Sequence, residues 1–206
     1  VAHLPQGATM IATSVISPFM VPLKILLMSA FMIALPVVLY QVWAFVAPGL
    51  YSHEKKLVLP LVVSSTVLFV MGVAFCYFFV FGKVFTFIQS FAPKSITAAP
   101  DIEAYLSFVM TMFLAFGLAF EVPIAVVVLA RLGVVTIGQL KSMRGYFIVA
   151  AFVVAAVVTP PDVVSQLALA IPMCLLYEVG IWSARLFIKH TAAPDDEGER
   201  APTPGA

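Results

Sequence analysis

Long apolar stretches restrict what this chain of 206 residues can fold into more than any other feature. Three of them run from about Ile25 to Ala47, from Leu57 to Phe81 and from Ala104 to Ala130, and a fourth region extends from Tyr146 to Ala184. A transmembrane helix needs about 20 consecutive apolar residues, so each stretch is long enough to cross a bilayer. The chain is 63% hydrophobic and 10% charged, whereas soluble domains are about 45–50% apolar and about 25% charged. The sequence therefore predicts an all-α, polytopic membrane protein.

The fourth apolar region is interpreted as two spans because "TPPD" interrupts it at residues 159–162. Two consecutive prolines break a helix, and Asp162 suits the N-cap of the helix that follows. The piece before the break, Tyr146–Val158, covers about 20 Å of a hydrocarbon core that is about 30 Å thick. We expect this piece to thin the bilayer or to be buried among other helices, with a re-entrant segment as the alternative.

Prolines in or at the ends of the spans indicate that the helices are kinked, since each proline removes a backbone hydrogen bond. Kinked helices favour a bundle with a concave face that can dock partners, rather than a tightly packed bundle. The prolines concerned are Pro22, Pro36, Pro60, Pro123 and Pro172.

Lysine and arginine are distributed unevenly between the two sides of the predicted spans. One side carries Lys55, Lys56, Arg131, Lys141, Arg144, Arg185, Lys189 and Arg200, and the other carries Lys24, Lys83 and Lys94. The positive-inside rule places the richer side, and with it the C-terminus, in the cytoplasm. The N-terminus then lies outside, yet the first residues do not have the pattern of a signal peptide. We therefore expect at least one further span upstream.

Motifs for enzymatic catalysis are missing from the sequence. It contains no H-E-x-x-H, no G-x-S-x-G, no P-loop and no pair of intramembrane aspartates. Cys76 and Cys174 lie in apolar runs as core residues, and the three histidines stand alone, so no metal or cofactor is predicted. The net charge of +1 gives no bulk electrostatic attraction to nucleic acid.

Ionisable residues inside the predicted spans are the first candidates for function, because burial of a charge in a bilayer is costly. Glu121 lies well inside the third span, where it either packs two helices together or binds a partner or substrate. Glu178 would reach the interface or pair with Arg185, about two turns later. Lys24 would extend its ammonium group to the membrane edge. Thr159 and Gln166 flank the turn between the last two spans, where most such residues satisfy backbone groups.

The charged segment "SHEKK" at residues 52–56 interrupts two apolar stretches. On composition alone, Ser52 would cap the second span, Glu54 would favour its helix dipole, and the two lysines would anchor the topology. A receptor role for Glu54 is the alternative.

Four segments resemble the TatC family, the multispanning receptor of the twin-arginine protein translocase. They are "LPQGATMIAT" (4–13), "LPVVLYQVWAFVAPGLYSHEKKL" (35–57), "AYLSFVMTMFLAFGLAFEVPIAVVVL" (104–129) and "TPPDVVSQLALAIPMCLLYEVGIW" (159–182). The family has six helices with both termini in the cytoplasm, and five are expected here. The resemblance implies a TatC-like transmembrane domain over residues 1–190 that lacks its first helix, followed by a disordered cytoplasmic tail over 191–206.

The resemblance also implies which residues bind the arginine pair of a signal peptide. Glu54 corresponds to one of the family's recognition carboxylates, and Phe45, Leu50, Tyr51 and His53 would shape the same patch. A carboxylate binds a guanidinium through two parallel hydrogen bonds, which favours arginine over lysine. The family's second recognition carboxylate precedes the first helix and is absent from this sequence.

The family's partners imply further contacts within the membrane. Glu121 matches an intramembrane glutamate on the concave side that is linked to the small single-span subunits TatA and TatB. Thr159 and Gln166 match a polar site where a partner helix docks, and Asp162 matches an acidic residue of the outer loop. The implied protein is an oligomeric subunit of a bacterial-type inner membrane, where it exports folded precursors with the proton motive force. A solute or ion transporter and a purely structural membrane subunit are the alternatives.

Overall fold

The computed structural model describes residues 11–12, 14–46, 58–91, 101–159 and 163–189, which are almost entirely helical. The prediction of an all-α fold is confirmed for these residues. The α-helices are α1 (Ser17–Val46), α2 (Val58–Phe75), α3 (Phe81–Phe91), α4 (Ile102–Arg131), α5 (Ile137–Ser142), α6 (Arg144–Val158) and α7 (Val163–Lys189).

Four of the predicted spans are confirmed as helices long and apolar enough to cross a membrane: Ser17–Val46, Leu59–Thr86, Ile102–Arg131 and Val163–Leu186. The first begins earlier than the predicted Ile25. Two features explain the early start: Pro18 lies in the first turn, where its missing N–H is not needed, and the charge of Lys24 is paired with Glu103 on α4. The prolines at positions 22, 36, 123 and 172 all lie inside continuous helices.

A π-helical turn at Cys76–Val80 joins α2 and α3 into one rod. Such a turn contains one more residue than an α-helical turn and rotates the residues after it around the helix axis. Cys76 and Val80 are buried there, and the Phe75 ring just before the turn lies 6.0 Å from the Phe116 ring of α4. Apolar composition alone does not distinguish the two kinds of turn, so the π-helical turn could not be predicted from the sequence.

Close approaches between helices occur at glycines, as is common where the solvent is lipid and packing drives association. A Cβ added to Gly72 on α2 would lie 2.5 Å from the backbone oxygen of Phe116 on α4. In a second contact between the same helices, the buried Phe69 ring of α2 packs against Gly117 of α4. On the other side of α4, Gly180 of α7 lies against Pro123. These contacts make α4 the centre of the bundle, between α2 and α7.

The short helix α6 packs one face against α7 and leaves the other face exposed. Ala151 and Ala155 are buried, whereas Val149, Val153 and Val157 are exposed. Of the two alternatives for this helix, burial among other helices therefore holds for one face only. At 15 residues it is about 22 Å long.

Candidate functional site

Glu121 lies on α4 where α1 and α2 pack against it. Both of its carboxylate oxygens are buried, and neither has a hydrogen-bond partner among the described residues. The Ser65 hydroxyl of α2 lies beside this carboxylate but outside hydrogen-bonding geometry. Ser65 is itself buried and accepts a hydrogen bond of 2.8 Å from Nε1 of Trp43 on α1. Three helices thus converge on a carboxylate that is screened from lipid and is not paired within the described structure.

An apolar groove of about 610 Å³ opens next to this carboxylate, between α1, α2, α4 and α7. Trp43, Leu68, Phe120 and Leu176 contribute to its walls, and Arg131, in the last turn of α4, lines one end of it. Phe120 and Pro123 line the groove, while Glu121 between them is not among the lining residues. The carboxylate therefore lies behind the wall of the groove.

The predicted signal-peptide patch is described by the structure at one residue. Phe45, in the last turn of α1, is 87% exposed. Glu54, Leu50, Tyr51 and His53 lie outside the described residues. Their segment joins Val46 to Val58, and both Val46 and the nearby Pro60 line the groove. The described residues on either side of this segment therefore line the same groove as Arg131.

Thr159 and Gln166 both donate to backbone carbonyls of α6, and the Gln166 bond joins α7 to α6. The buried Thr159 hydroxyl donates to the carbonyl of Ala155 at 2.8 Å, and Gln166 Nε2 donates to the carbonyl of Phe152 at 3.2 Å. Both polar side chains satisfy backbone carbonyls, as the sequence analysis expected of most such residues. Asp162 lies outside the described residues.

Two ion pairs between helices were not predicted from the sequence. Glu178 pairs with Arg144, the first residue of α6, at 2.7 Å, so of the two expectations for Glu178 the pairing with Arg185 is wrong. Lys24 of α1 pairs with Glu103 at 2.8 Å and donates to Ser107 at 2.9 Å, both on α4. The extension of the Lys24 ammonium group to the membrane edge stays a prediction. Glu103 was not predicted from the sequence as a partner of Lys24. Among the described residues, no three of the histidines, cysteines and acids are grouped as a metal site requires.

Comparison with known proteins places the chain in a family. The family model described as "TatC: Sec-independent protein translocase protein (TatC)" matches residues 1–172. The chain belongs to the TatC family.

Curated relatives bear the name Sec-independent protein translocase protein TatC. The relative from Halothiobacillus neapolitanus is 50% identical over 97% of this chain, and the chain spans 58% of that relative's length. The relative from Escherichia coli K12 is 50% identical over 91% of this chain, which spans 73% of its length. A solved structure, "Crystal Structure of Twin Arginine Translocase Receptor- TatC", has a TM-score of 0.77 and 43% identity, with coverage of 88% of this chain and 80% of its own. The fold described above is therefore the TatC fold.

The groove and the environment of Glu121 in this TatC-family chain were not accessible to sequence reasoning. Ser65 lies in an apolar stretch next to Ser64, and nothing in the sequence separates the serine that faces Trp43 from the one that donates to its own helix. The groove is lined by parts of four helices, so it exists only once those helices are packed together.

Proposed function

We propose that this chain is the receptor and core subunit of a twin-arginine translocase. It binds twin-arginine signal peptides and, together with small single-span partners, exports folded proteins at the expense of the proton motive force. The observation that carries this proposal is the extensive match, at 43% identity, to a solved structure titled as a twin-arginine translocase receptor.

The alternative of a solute or ion transporter has less support from the described residues. A transport path needs a row of polar groups across the membrane, but Glu103 and Glu178 are engaged in ion pairs at opposite ends of the bundle. Glu121 lies between these ends without another carboxylate close to it in sequence. A single buried carboxylate suits the recognition of a polar group on an inserted helix better than it suits conduction.

The orientation proposed here places the Arg131 end of the bundle in the cytoplasm. Arg131, Lys141, Arg144 and Arg185 belong to the ends of helices or to the connections on that side. The opposite end carries Lys24, whose charge is neutralised by Glu103. The positive-inside rule then puts the C-terminus in the cytoplasm, and membership of the TatC family supports a multi-pass protein of the bacterial inner membrane.

Recognition of the arginine pair is assigned to Glu54, with Phe45, Leu50, Tyr51 and His53 around it. A carboxylate on the positively charged face of a membrane protein offers a guanidinium a charge-assisted, bidentate partner. The exposed ring of Phe45 adds an apolar surface next to the charged segment. Val46 and Pro60, which flank this segment in the sequence, line the groove; a signal peptide held at Glu54 would continue from there into the membrane.

Contacts with the TatB-like and TatA-like subunits are assigned to the membrane interior. Glu121 would pair with a polar group of an inserted helix, because an unpaired polar group in hydrocarbon is costly. Thr159 and Gln166 lie on either side of the connection between α6 and α7, and Asp162 belongs to that connection in the sequence. The exposed valines of α6 offer a partner helix an apolar face next to that turn.

The proposed function is tested by replacing Glu54 with Gln. The chain is placed in the full-length context of the Halothiobacillus relative, using that relative's residues on both sides of the aligned region, and is produced in bacteria that lack their own TatC. Export of a folded reporter and crosslinking of its signal peptide are both measured. Asp195→Asn, which neutralises a carboxylate in the polar C-terminal segment, is the matched control.

We expect Glu54→Gln to reduce both crosslinking and export at least about tenfold, the loss that corresponds to one charge-assisted hydrogen bond of about 1.4 kcal/mol. Asp195→Asn should export normally, and the unsubstituted receptor should reject a twin-lysine signal peptide. If Glu54→Gln crosslinks and exports as the unsubstituted protein does, the recognition role of Glu54 is wrong.

A further inference from the structure

The groove between α1, α2, α4 and α7 has a polarity that points to a ligand other than a protein. We propose that it binds an acyl chain of an anionic phospholipid, with the phosphate of that lipid on Arg131. This lipid belongs to the membrane leaflet at the Arg131 end of the bundle. The site does not depend on Glu54 or on the recognition of a signal peptide.

The depth of the groove matches one leaflet of a bilayer. Along α4 it extends from Arg131 to Phe120, which is about 16 Å at 1.5 Å per residue. The hydrocarbon core is about 30 Å thick, so the groove ends near its midplane. On α7 the lining likewise extends only from Ser183 to Leu176. A lipid anchored at one membrane surface would occupy this depth without crossing into the other leaflet.

The groove is complementary to an anionic lipid, because its walls are apolar along its length and a cationic side chain lies at one end. Leu61, Leu68, Ile124 and Val127 contribute apolar wall. Arg131 is exposed at one end of the groove, in the last turn of α4. A guanidinium binds phosphate oxygens bidentately, and basic pockets between transmembrane helices are suited to anionic headgroups. The volume of about 610 Å³ lies within the range of about 300–1,000 Å³ that is usual for small-molecule sites.

A peptide helix fits this groove less well than a lipid does. A helix that spans the membrane needs about 30 Å of surface and has a diameter of about 10–12 Å with its side chains. The groove offers half of that length. A signal peptide is therefore treated as the competing occupant, which the experiment distinguishes.

The position of Trp43 in the groove wall provides the measurement. The chain has two tryptophans, Trp43 and Trp182, so Trp182→Phe leaves Trp43 as the only tryptophan emitter. This variant is reconstituted in vesicles of phosphatidylcholine that contain increasing fractions of phosphatidylglycerol. Either lipid in turn carries brominated acyl chains, which quench indole fluorescence at contact distance.

We expect brominated phosphatidylglycerol to quench Trp43 about fivefold more effectively than brominated phosphatidylcholine at an equal mole fraction, the preference typical of one basic side chain near an anionic lipid. Arg131→Gln should abolish this preference. Lys141→Gln is the matched control, because Lys141 is exposed at the same end of the bundle but does not line the groove. Val179→Phe, which fills the groove and leaves Arg131 in place, should reduce quenching by phosphatidylglycerol to the level of phosphatidylcholine.

Three results would overturn the proposal. Equal quenching by the two lipids would mean that the groove does not select an anionic headgroup. If Lys141→Gln abolishes the preference for phosphatidylglycerol and Arg131→Gln retains it, the anionic headgroup does not lie on Arg131. If the two lipids quench Trp43 equally and an added twin-arginine signal peptide suppresses that quenching, the groove binds the peptide and not a lipid.

Discussion

Lys24 of α1 and Glu103 of α4 form an ion pair with 2.8 Å between Nζ and Oε1, at the end of the bundle opposite Arg131. The other carboxylate oxygen of Glu103 accepts a hydrogen bond of 2.8 Å from the Ser17 hydroxyl, and Lys24 also donates to Ser107 at 2.9 Å. Two residues from α1 and two from α4 thus share one polar cluster. Because it involves the first turns of both helices, the cluster fixes the register of α1 against α4.

The first prediction concerns this cluster. Lys24→Met should lower the melting temperature of the purified protein in detergent by on the order of a few degrees, because partly exposed ion pairs contribute modestly. Glu103→Lys alone should be more harmful, since it places two lysines together. The exchanged pair Lys24→Glu with Glu103→Lys should recover much of the loss.

Lys83→Met is the matched control for Lys24→Met, because Lys83 is an exposed lysine on α3. It should leave the melting temperature unchanged. An exchanged pair no more stable than Glu103→Lys alone would mean that the two residues are not coupled.

The Lys24–Glu103 pair also shows which part of the structure the sequence could predict. The spans were predictable because hydropathy over about 20 residues reports directly on what lipid accepts. The partners of the charged residues were not, because pairing between helices depends on the rotation and axial register of each helix. Glu178 illustrates this: the interface and Arg185 on its own helix were the two expectations, but the structure pairs Glu178 with Arg144 across the α6–α7 contact. The same limit applies to Ser65 and Trp43, whose contact depends on how α1 faces α2.

The second prediction concerns the close approach of α2 and α4. Gly72→Ala should reduce the free energy of unfolding by about 1–3 kcal/mol, because the new methyl group would overlap the backbone oxygen of Phe116, which cannot rotate away as a side chain does. The measurement is unfolding in mixed micelles by a denaturing detergent.

Gly82→Ala provides the control for this substitution on the same rod. A Cβ at Gly82 meets no atom within 4 Å, so the higher helix propensity of alanine should stabilise the protein by up to about 1 kcal/mol. Equal effects of the two substitutions would show that the helices do not approach as closely at Gly72 as the structure indicates.

The third prediction concerns the buried hydrogen bond from Trp43 to Ser65. Ser65→Ala should cost about 1–3 kcal/mol, because it leaves the buried indole N–H without its acceptor. Combining it with Trp43→Phe, which removes that donor, should cost less than the sum of the two single substitutions. Unfolding in mixed micelles measures all three variants.

Ser64→Ala is the control, since the Ser64 hydroxyl donates only to the Leu61 carbonyl of its own helix. Its cost should be within about 0.5 kcal/mol. Strict additivity of Ser65→Ala and Trp43→Phe would contradict the coupling.

The fourth prediction separates stability from function at Glu121. Glu121→Gln keeps the shape of the side chain but removes its ability to ionise, so it should leave the stability unchanged or raise it, because a neutral amide is less costly to bury than a carboxylate. If Glu121 pairs with a polar group of an inserted helix, as proposed, export of a folded reporter should nevertheless fall about tenfold or more, the effect of one lost charge-assisted hydrogen bond.

Export is measured in the full-length context described for Glu54, with crosslinking of the single-span partners as a second readout. Glu178→Gln, at an exposed carboxylate paired with Arg144, should export normally. Normal export by Glu121→Gln would leave Glu121 with a packing role alone.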